Sequence, residues 1–281
     1  MKYRHRFHAG NFADVHKHVT LLALIEALQR KDKGFLYLDT HAGRGRYDLS
    51  SPGAEAAAGI VRFEAAPLIA PELAAYRRTL EELRAALHLP HLYAGSPLLA
   101  AAHLRPQDRA VLIELQGAEV QALERCMATY REALPGPKPR IERGDGLARL
   151  KAWLPPPERR ALTFIDPPYE ARADFEAVPA ALAQAVRRFP TGVLLAWYPV
   201  KEQAAGERFS AECARAAGRP VLMSELWLYP RDSRVALNGS GLLIVNPPHL
   251  TLERTQVWLP ELQRLLEPGP QAGSRAAMLS H

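Results

Sequence analysis

Cysteine is scarce in this chain. Cys126 and Cys213 are the only two among 281 residues, and they share no metal-binding or redox spacing. A disulfide framework is therefore excluded. Apolar runs are short, none long enough to span a bilayer, and no secretory leader pattern is present. The expectation is a reducing, cytoplasmic setting with no membrane partner. Internal repeats and low-complexity blocks are also missing. What is there is ordinary globular composition, 48% hydrophobic and 23% charged. The length allows one large domain, or one domain carrying an insertion. A net charge of +6 and a pI near 9.4 suit a polyanionic partner, although many basic proteins have other partners.

The most telling stretch is Leu162-Thr163-Phe164-Ile165-Asp166-Pro167-Pro168-Tyr169. Its apolar start reads as a buried parallel strand. Pro167 and Pro168 end the ladder because neither can donate a backbone hydrogen bond. The product is a carboxylate, a free carbonyl and a ring at the carboxyl end of a strand, where open α/β sheets place their ligands. Asn246-Pro247-Pro248-His249 has a similar look, with Asn for Asp. Too little chain follows it to complete a sheet, and His replaces the expected ring. Asp166 is therefore the favoured candidate, and Asn246 a strand terminator.

Upstream, Phe35 to Asp39 forms a short strand that runs into His41-Ala42-Gly43-Arg44-Gly45. Gly43 and Gly45 permit positive φ and close approach of a ligand, and Asp39 is placed to meet a cationic or hydroxylated group. The spacing is not the Gly-x-Gly-x-x-Gly of pyrophosphate binders. It is similar to the S-adenosylmethionine loop of class I methyltransferases. From about Ser50 to Arg105, alanine- and leucine-rich segments of helical period postpone the next strand, which implies a helical insertion. Within it Ser96 either caps the helix that Pro97 begins or faces the ligand; both roles are compatible.

The second strand, Ala110 to Leu115, carries Glu114 in the position of a ribose-binding acid. The third, Arg140 to Arg143, leads to Asp145-Gly146, where an acid meets an adenine amine or simply makes an Asp-Gly turn. Strands then follow at Val193 to Pro199, Pro220 to Leu228 and Gly241 to Asn246, the last two as an antiparallel hairpin. The expected fold is α/β: a Rossmann-like, class I methyltransferase domain with a mostly parallel seven-stranded sheet. Its parts are an N-terminal arm and first strand (1–49), the helical insertion (50–105), the remaining domain (106–268) and a flexible tail (269–281).

An aromatic amine explains the Asp-Pro-Pro-Tyr turn. Adenine N6 is a poor nucleophile because its lone pair is delocalised into the ring. Hydrogen bonds to the Asp166 carboxylate and the Pro167 carbonyl would draw it toward tetrahedral geometry. Tyr169 would stack on the base once it leaves its helix. Positioning then supplies most of the catalysis, and Asp166 is the natural proton acceptor.

The N-terminal segment is dense in rings and cations. Asp14 is a candidate cap for a helix in which Val15, Val19, Leu22, Ile25 and Leu28 recur. His16 and His18 are too close for joint ligation from a helix and have no cysteine or carboxylate cluster beside them, so no metal is expected. The run Tyr3-Arg4-His5-x-Phe7-His8-Ala9-Gly10-Asn11-x-Ala13-Asp14-Val15-x-Lys17-His18, with Tyr37 to Gly43, Gly95 to Leu98, Ile165 to Tyr169 and Trp197 to Val200, resembles the RlmJ family. That resemblance implies transfer of a methyl group from S-adenosylmethionine to N6 of one adenine, position 2030, of 23S ribosomal RNA. It also implies cofactor contacts from His18, His41, Ser96, Glu114, Asp145 and Gly146, with Asp166 as the acceptor and Tyr3 on the substrate adenosine. Arg4, Arg6 and Lys17 are placed to reach phosphates of free or partly assembled RNA. The rivals are a DNA adenine methyltransferase, disfavoured by the lack of a separate target-recognition domain, and a non-catalytic RNA-binding module. An NAD-dependent oxidoreductase has the wrong glycine spacing.

Overall fold

The computed structural model describes residues 8–134, 136–230 and 237–279. Tyr3 and Arg4 lie outside the described residues. The chain begins with α1 (Phe12–Gln29), which is buried along most of its length by Val15, Val19, Leu21, Ile25 and their neighbours. Such a helix serves as a core element rather than a surface one. Asp14 is not its cap. Asn11 is: its side chain accepts the Asp14 N–H at 3.0 Å, while Asp14 accepts the Gly10 N–H at 2.9 Å. The pair satisfies one orphan donor of the first turn, the Asp14 N–H, and the Gly10 N–H just before the cap.

Eight strands form the main sheet: β1 (Leu36–Asp39), β4 (Arg109–Glu114), β5 (Arg140–Arg143), β6 (Ala161–Ile165), β7 (Val193–Val200), β8 (Val221–Trp227), β9 (Gly239–Val245) and β10 (Gly273–Leu279). A separate two-stranded ribbon pairs β2 (Arg46–Asp48) with β3 (Leu92–Ala94). The sheet order is β10-β8-β9-β7-β6-β1-β4-β5. Pairings from β5 across to β7 are parallel, whereas β9 is antiparallel to both β7 and β8. A strand order that reverses at β1, with an antiparallel strand inserted before the end, is that of the class I methyltransferases. The expected hairpin is present as β8 and β9.

Between β1 and β4 the chain makes the ribbon, α2 (Ala54–Ala56), one π turn (Ala57–Val61), α3 (Arg62–Ala65), α4 (Pro71–Leu87) and α5 (Ser96–His103). The π turn is bonded to the start of α1 through Ile60 N–H to the Gly10 carbonyl at 2.8 Å. Helix α5 packs on α1 and β1 and so serves as the crossover that returns the chain to β4. The remaining helices are α6 (Gly117–Ala133), α7 (Gly146–Trp153), α8 (Arg172–Arg188), α9 (Gln203–Ala217) and α10 (Thr251–Leu266). Among the described residues no helix is long and apolar enough to cross a membrane.

Two expectations are corrected by the sheet. It has eight strands, not seven, because the tail expected to be flexible supplies β10. The run Gly273-Ser-Arg-Ala-Ala-Met-Leu279 has little apolar alternation of its own. It is held by its neighbours: seven residues pair with β8, the Arg275 guanidinium meets the buried Glu225 carboxylate at 2.8 Å, and Gln256 of α10 donates to the Ala276 carbonyl. The direction of β9 also disposes of the second Pro-Pro turn. Leu194 pairs with Val245, so Asn246 leaves the sheet at the edge opposite Asp166, where its amide donates to the Pro190 and Gly192 carbonyls.

Deleting residues 270–281 removes the cation beside buried Glu225 and uncovers the β8 edge. Stability should fall by about 3 kcal/mol or more, measured by urea denaturation, with increased self-association in light scattering. Unchanged stability would show that β10 is dispensable.

Candidate active site

The carboxyl ends of β1, β4, β5, β6 and β7 converge on a cavity of about 570 Å³. One wall is the loop after β1, with Thr40, His41, Gly43 and Arg44. Glu114, Asp145 and Gly146 form the side, and Asp166, Pro167, Pro168, Trp197 and Lys17 form the opposite wall. Gly43 and Gly45 have φ of +60° and +78°, the left-handed conformation the loop was expected to need. Gly146 faces the same requirement for another reason: a Cβ there would lie 2.0 Å from the Thr40 carbonyl oxygen.

Glu114 pins the loop. Its Oε2 accepts the Gly43 N–H at 2.9 Å and its Oε1 the Gln116 N–H at 2.8 Å. A carboxylate has further lone pairs for ligand hydroxyls. Asp145 caps α7 through Oδ1 and the Ala148 N–H, and stays exposed in the cavity wall. His41 Nδ1 lies 2.8 Å from Thr40 Oγ1, whose hydrogen goes to the Phe164 carbonyl. Nδ1 is thus the donor, which leaves Nε2 unprotonated, and burial holds the ring's pKa below its usual value.

Three residues expected to touch a ligand stand behind this lining. Asp39 is fully buried; Tyr37 and Ser96 hydroxyls donate to Oδ2 at 2.8 and 2.7 Å, and the His41 N–H donates to Oδ1 at 3.2 Å. Burial raises its pKa to about 6 against the lowering effect of those donors. It anchors the loop from behind the cavity lining. Ser96 is spent on Asp39 and caps nothing, since the N-cap position belongs to Gly95. His18 sits among rings, its Nδ1 3.0 Å from the Tyr93 hydroxyl, with Tyr76 on its other side.

The Asp-Pro-Pro-Tyr turn also departs from expectation at its ring. Tyr169 has φ of +50°, which swings the side chain away from the cavity. Its hydroxyl donates to the Trp197 carbonyl at 2.7 Å, and the ring packs against Phe175 and Phe209. The aromatic surface in the cavity wall is instead Trp197. Ile165 pairs with Ala196, so Asp166 leaves the end of β6 beside Trp197, where β7 runs on to Val200. A Trp-Tyr-Pro sequence ending the strand next to β6 was the available signal for this.

Lys17, expected to meet phosphates, has a side chain only 5% exposed. The ammonium lies 2.9 Å from Asp14 Oδ1 and 2.8 Å from Asp166 Oδ2, and 4.7 Å over the Trp197 ring. Two carboxylates and a ring face share one cation, which fixes the Asp166 rotamer and occupies Oδ2. Beneath it, Trp197 Nε1–H donates to Ser240 Oγ at 3.0 Å. Ser240 and Ser224 hydroxyls flank the two nitrogens of His16 at 3.0 and 2.9 Å. Since His16 is wholly buried, its pKa drops to about 3, and the ring is neutral. Among the described residues no cluster of His, Cys, Asp and Glu could hold a metal ion.

A family model described as ribosomal RNA large subunit methyltransferase D, RlmJ, matches residues 32–278. The chain belongs to the RlmJ family. Over its full length it is 39% identical to the ribosomal RNA large subunit methyltransferase J of Escherichia coli, covering 98% of that protein. The Haemophilus influenzae protein of the same name is 36% identical, with 95% of each chain covered. A crystal structure of protein LPL1258 from Legionella pneumophila superimposes with a TM-score of 0.83 at 34% identity, over 97% of this chain and 98% of that one. In this RlmJ member the Asp-Pro-Pro-Tyr turn, the glycine loop and the Lys17 clamp are therefore parts of an rRNA methyltransferase.

Removing the Lys17 ammonium leaves two carboxylates without their shared counter-charge. Lys17→Met should cost about 3–5 kcal/mol of stability. In a double-mutant cycle with Asp166→Asn the coupling should exceed about 1 kcal/mol; strict additivity would show the clamp to be inert. His16 titrates with opposite consequence. Between its unfolded pKa of 6.5 and its folded value of about 3, only the unfolded chain takes up the proton, so stability falls as pH falls through that window. The contribution approaches about 1.4 kcal/mol per pH unit. Urea titrations at pH 7 and pH 5 should show a shallower acid dependence in His16→Leu, and equal slopes would refute the assignment.

Proposed function

We propose that the chain transfers a methyl group from S-adenosylmethionine to the exocyclic N6 of one adenine in 23S ribosomal RNA, adenine 2030 in the family's pattern. The observation that carries this reading is the Asp166-Pro167-Pro168 turn opening into the cavity that the glycine loop, Glu114 and Asp145 share. The names of both curated relatives, which specify the large-subunit ribosomal RNA, support the RNA over DNA.

The residues fit the cofactor. A carboxylate at the end of β4 suits the ribose hydroxyls, an exposed carboxylate at the start of α7 suits the adenine amine, and the left-handed glycine loop leaves room for the methionine portion. Once bound, the cofactor supplies an electrophilic methyl group on a sulfonium. The protein's task is then to aim the amine. With Oδ2 of Asp166 held by Lys17, Oδ1 and the Pro167 carbonyl remain to accept the two N6 hydrogens. Pro167 and Pro168 contribute no competing N–H at that point. As the N6–carbon bond forms, the methyl–sulfur bond would break with its electron pair left on sulfur as a thioether, and one N6 proton would pass to Asp166 or to water. Trp197 and Pro168 give the base an apolar surface to stack on once it is flipped from its helix.

The substrate is free or partly assembled RNA, because the target base must reach a recessed cavity, and the setting is the cytoplasm. No metal takes part in this mechanism. Tyr3 and Arg4 complete the RNA-binding arm in this reading, whereas His18, Asp39 and Ser96 support the wall from behind.

Labelled S-adenosylmethionine, incubated with the protein and unmodified total RNA or DNA, should yield N6-methyladenosine at one site in large-subunit RNA. Asp166→Ala should lower the rate by at least about 100-fold. Label found only in DNA, or full activity of Asp166→Ala, would overturn the proposal.

A further inference from the structure

A second cavity, of about 550 Å³, adjoins the first. It lies along the β2–β3 ribbon and is lined by Arg44, Arg46, Tyr47, Asp48 and the turn from Leu89 to His91. Arg44 belongs to the lining of both cavities, so the two meet at that side chain. We propose that this groove binds the RNA strand flanking the target adenosine, with Arg46 as its principal phosphate contact. The inference deepens the function proposed above and rests on it for the identity of the polyanion.

The charge pattern selects the ligand. Two acids stand near the groove: one is paired with Arg44 and the other, Asp48, is exposed. Glu119 holds Arg44 through two bonds of 2.8 and 2.7 Å, and Asp48 accepts the Ser50 N–H at 2.8 Å. Arg46 is half-buried and has no carboxylate partner among the described residues. A guanidinium left unpaired in a concave wall is suited to a phosphodiester, which it can bind in fork geometry. The Tyr47 ring, with Arg44 6.0 Å from its centroid, provides a flat neighbour. The cavity is large enough for about one nucleotide.

The scaffold is stiff. The Leu49 N–H donates to the His91 carbonyl and the Gly95 N–H to the Gly45 carbonyl, each at 2.9 Å, which closes both ends of the ribbon. Gly45 sits directly against Cys126 and Leu123 of α6. The ribbon continues directly from the glycine loop that lines the first cavity, so a strand held here would lie beside that cavity. This explains why the chain interrupts its sheet after β1. The ribbon carries the RNA-binding surface to the mouth of the site, with no separate recognition domain.

The test compares wild type with Arg46→Gln, Arg46→Lys and His91→Glu. Each is assayed for methyl transfer to an unmodified large-subunit RNA fragment from 50 to 200 mM salt, and for S-adenosylmethionine affinity by titration. Arg46→Gln should raise KM for RNA about tenfold and reduce the slope of log affinity against log salt by about 1. The kcat should move less than KM. Arg46→Lys should recover much of the loss, and His91→Glu, remote from the glycine loop, should raise KM by adding a carboxylate to the rim. If Arg46→Gln also weakens the cofactor, His91→Glu decides the matter. Unchanged KM and salt slope in an active enzyme would refute the groove. A wild-type protein that methylates no RNA would instead refute the function proposed above.

Discussion

One cation ties the molecule together at its working point. The Lys17 ammonium, on the first helix, bridges Asp14 beside it and Asp166 at the end of β6, and lies over Trp197. A buried lysine is costly unless its charge is matched, and two carboxylates with a ring face match it. The contact joins residues 149 positions apart. It can form only when α1 has docked across the sheet and β6 has reached its full length. The geometry of the Asp166 turn and correct folding are thereby made interdependent.

The layers beneath the cavity follow the same logic. Asp39, a strand-end acid placed to meet a cationic or hydroxylated group, is a hub for Tyr37, Ser96 and the His41 N–H. His16 does the equivalent service under Trp197 by way of Ser240. Each is a polar group whose burial is tolerable because its hydrogen bonds are made. Both hold a cavity-lining element from behind. The result is a wall whose visible residues are positioned by invisible ones, the arrangement a reaction driven by positioning requires.

Much of this was legible beforehand. Strand-end acids in the order Asp39, Glu114, Asp145, Asp166 marked one edge of a parallel sheet, since each ends a short strand and precedes a turn, and all but Asp145 follow an apolar run. The late arrival of β4 pointed to extra chain after β1. Three things were not legible. Strand β10 lacks an apolar pattern, and its place depends on β8 and α10. The inward turn of Tyr169 depends on a left-handed backbone angle in a non-glycine residue. Lys17 has the composition of a phosphate ligand, and only its neighbours make it a clamp.

The order and chemistry of the strand ends, and the two prolines that close β6, are written in the chain because they depend on local backbone limits and on apolar period. Which carboxylate faces a ligand, which ring forms the wall and where Lys17 spends its charge were decided by tertiary structure. Those outcomes turn on distances between segments far apart in sequence, and on the cost of leaving any buried charge or polar group without a partner.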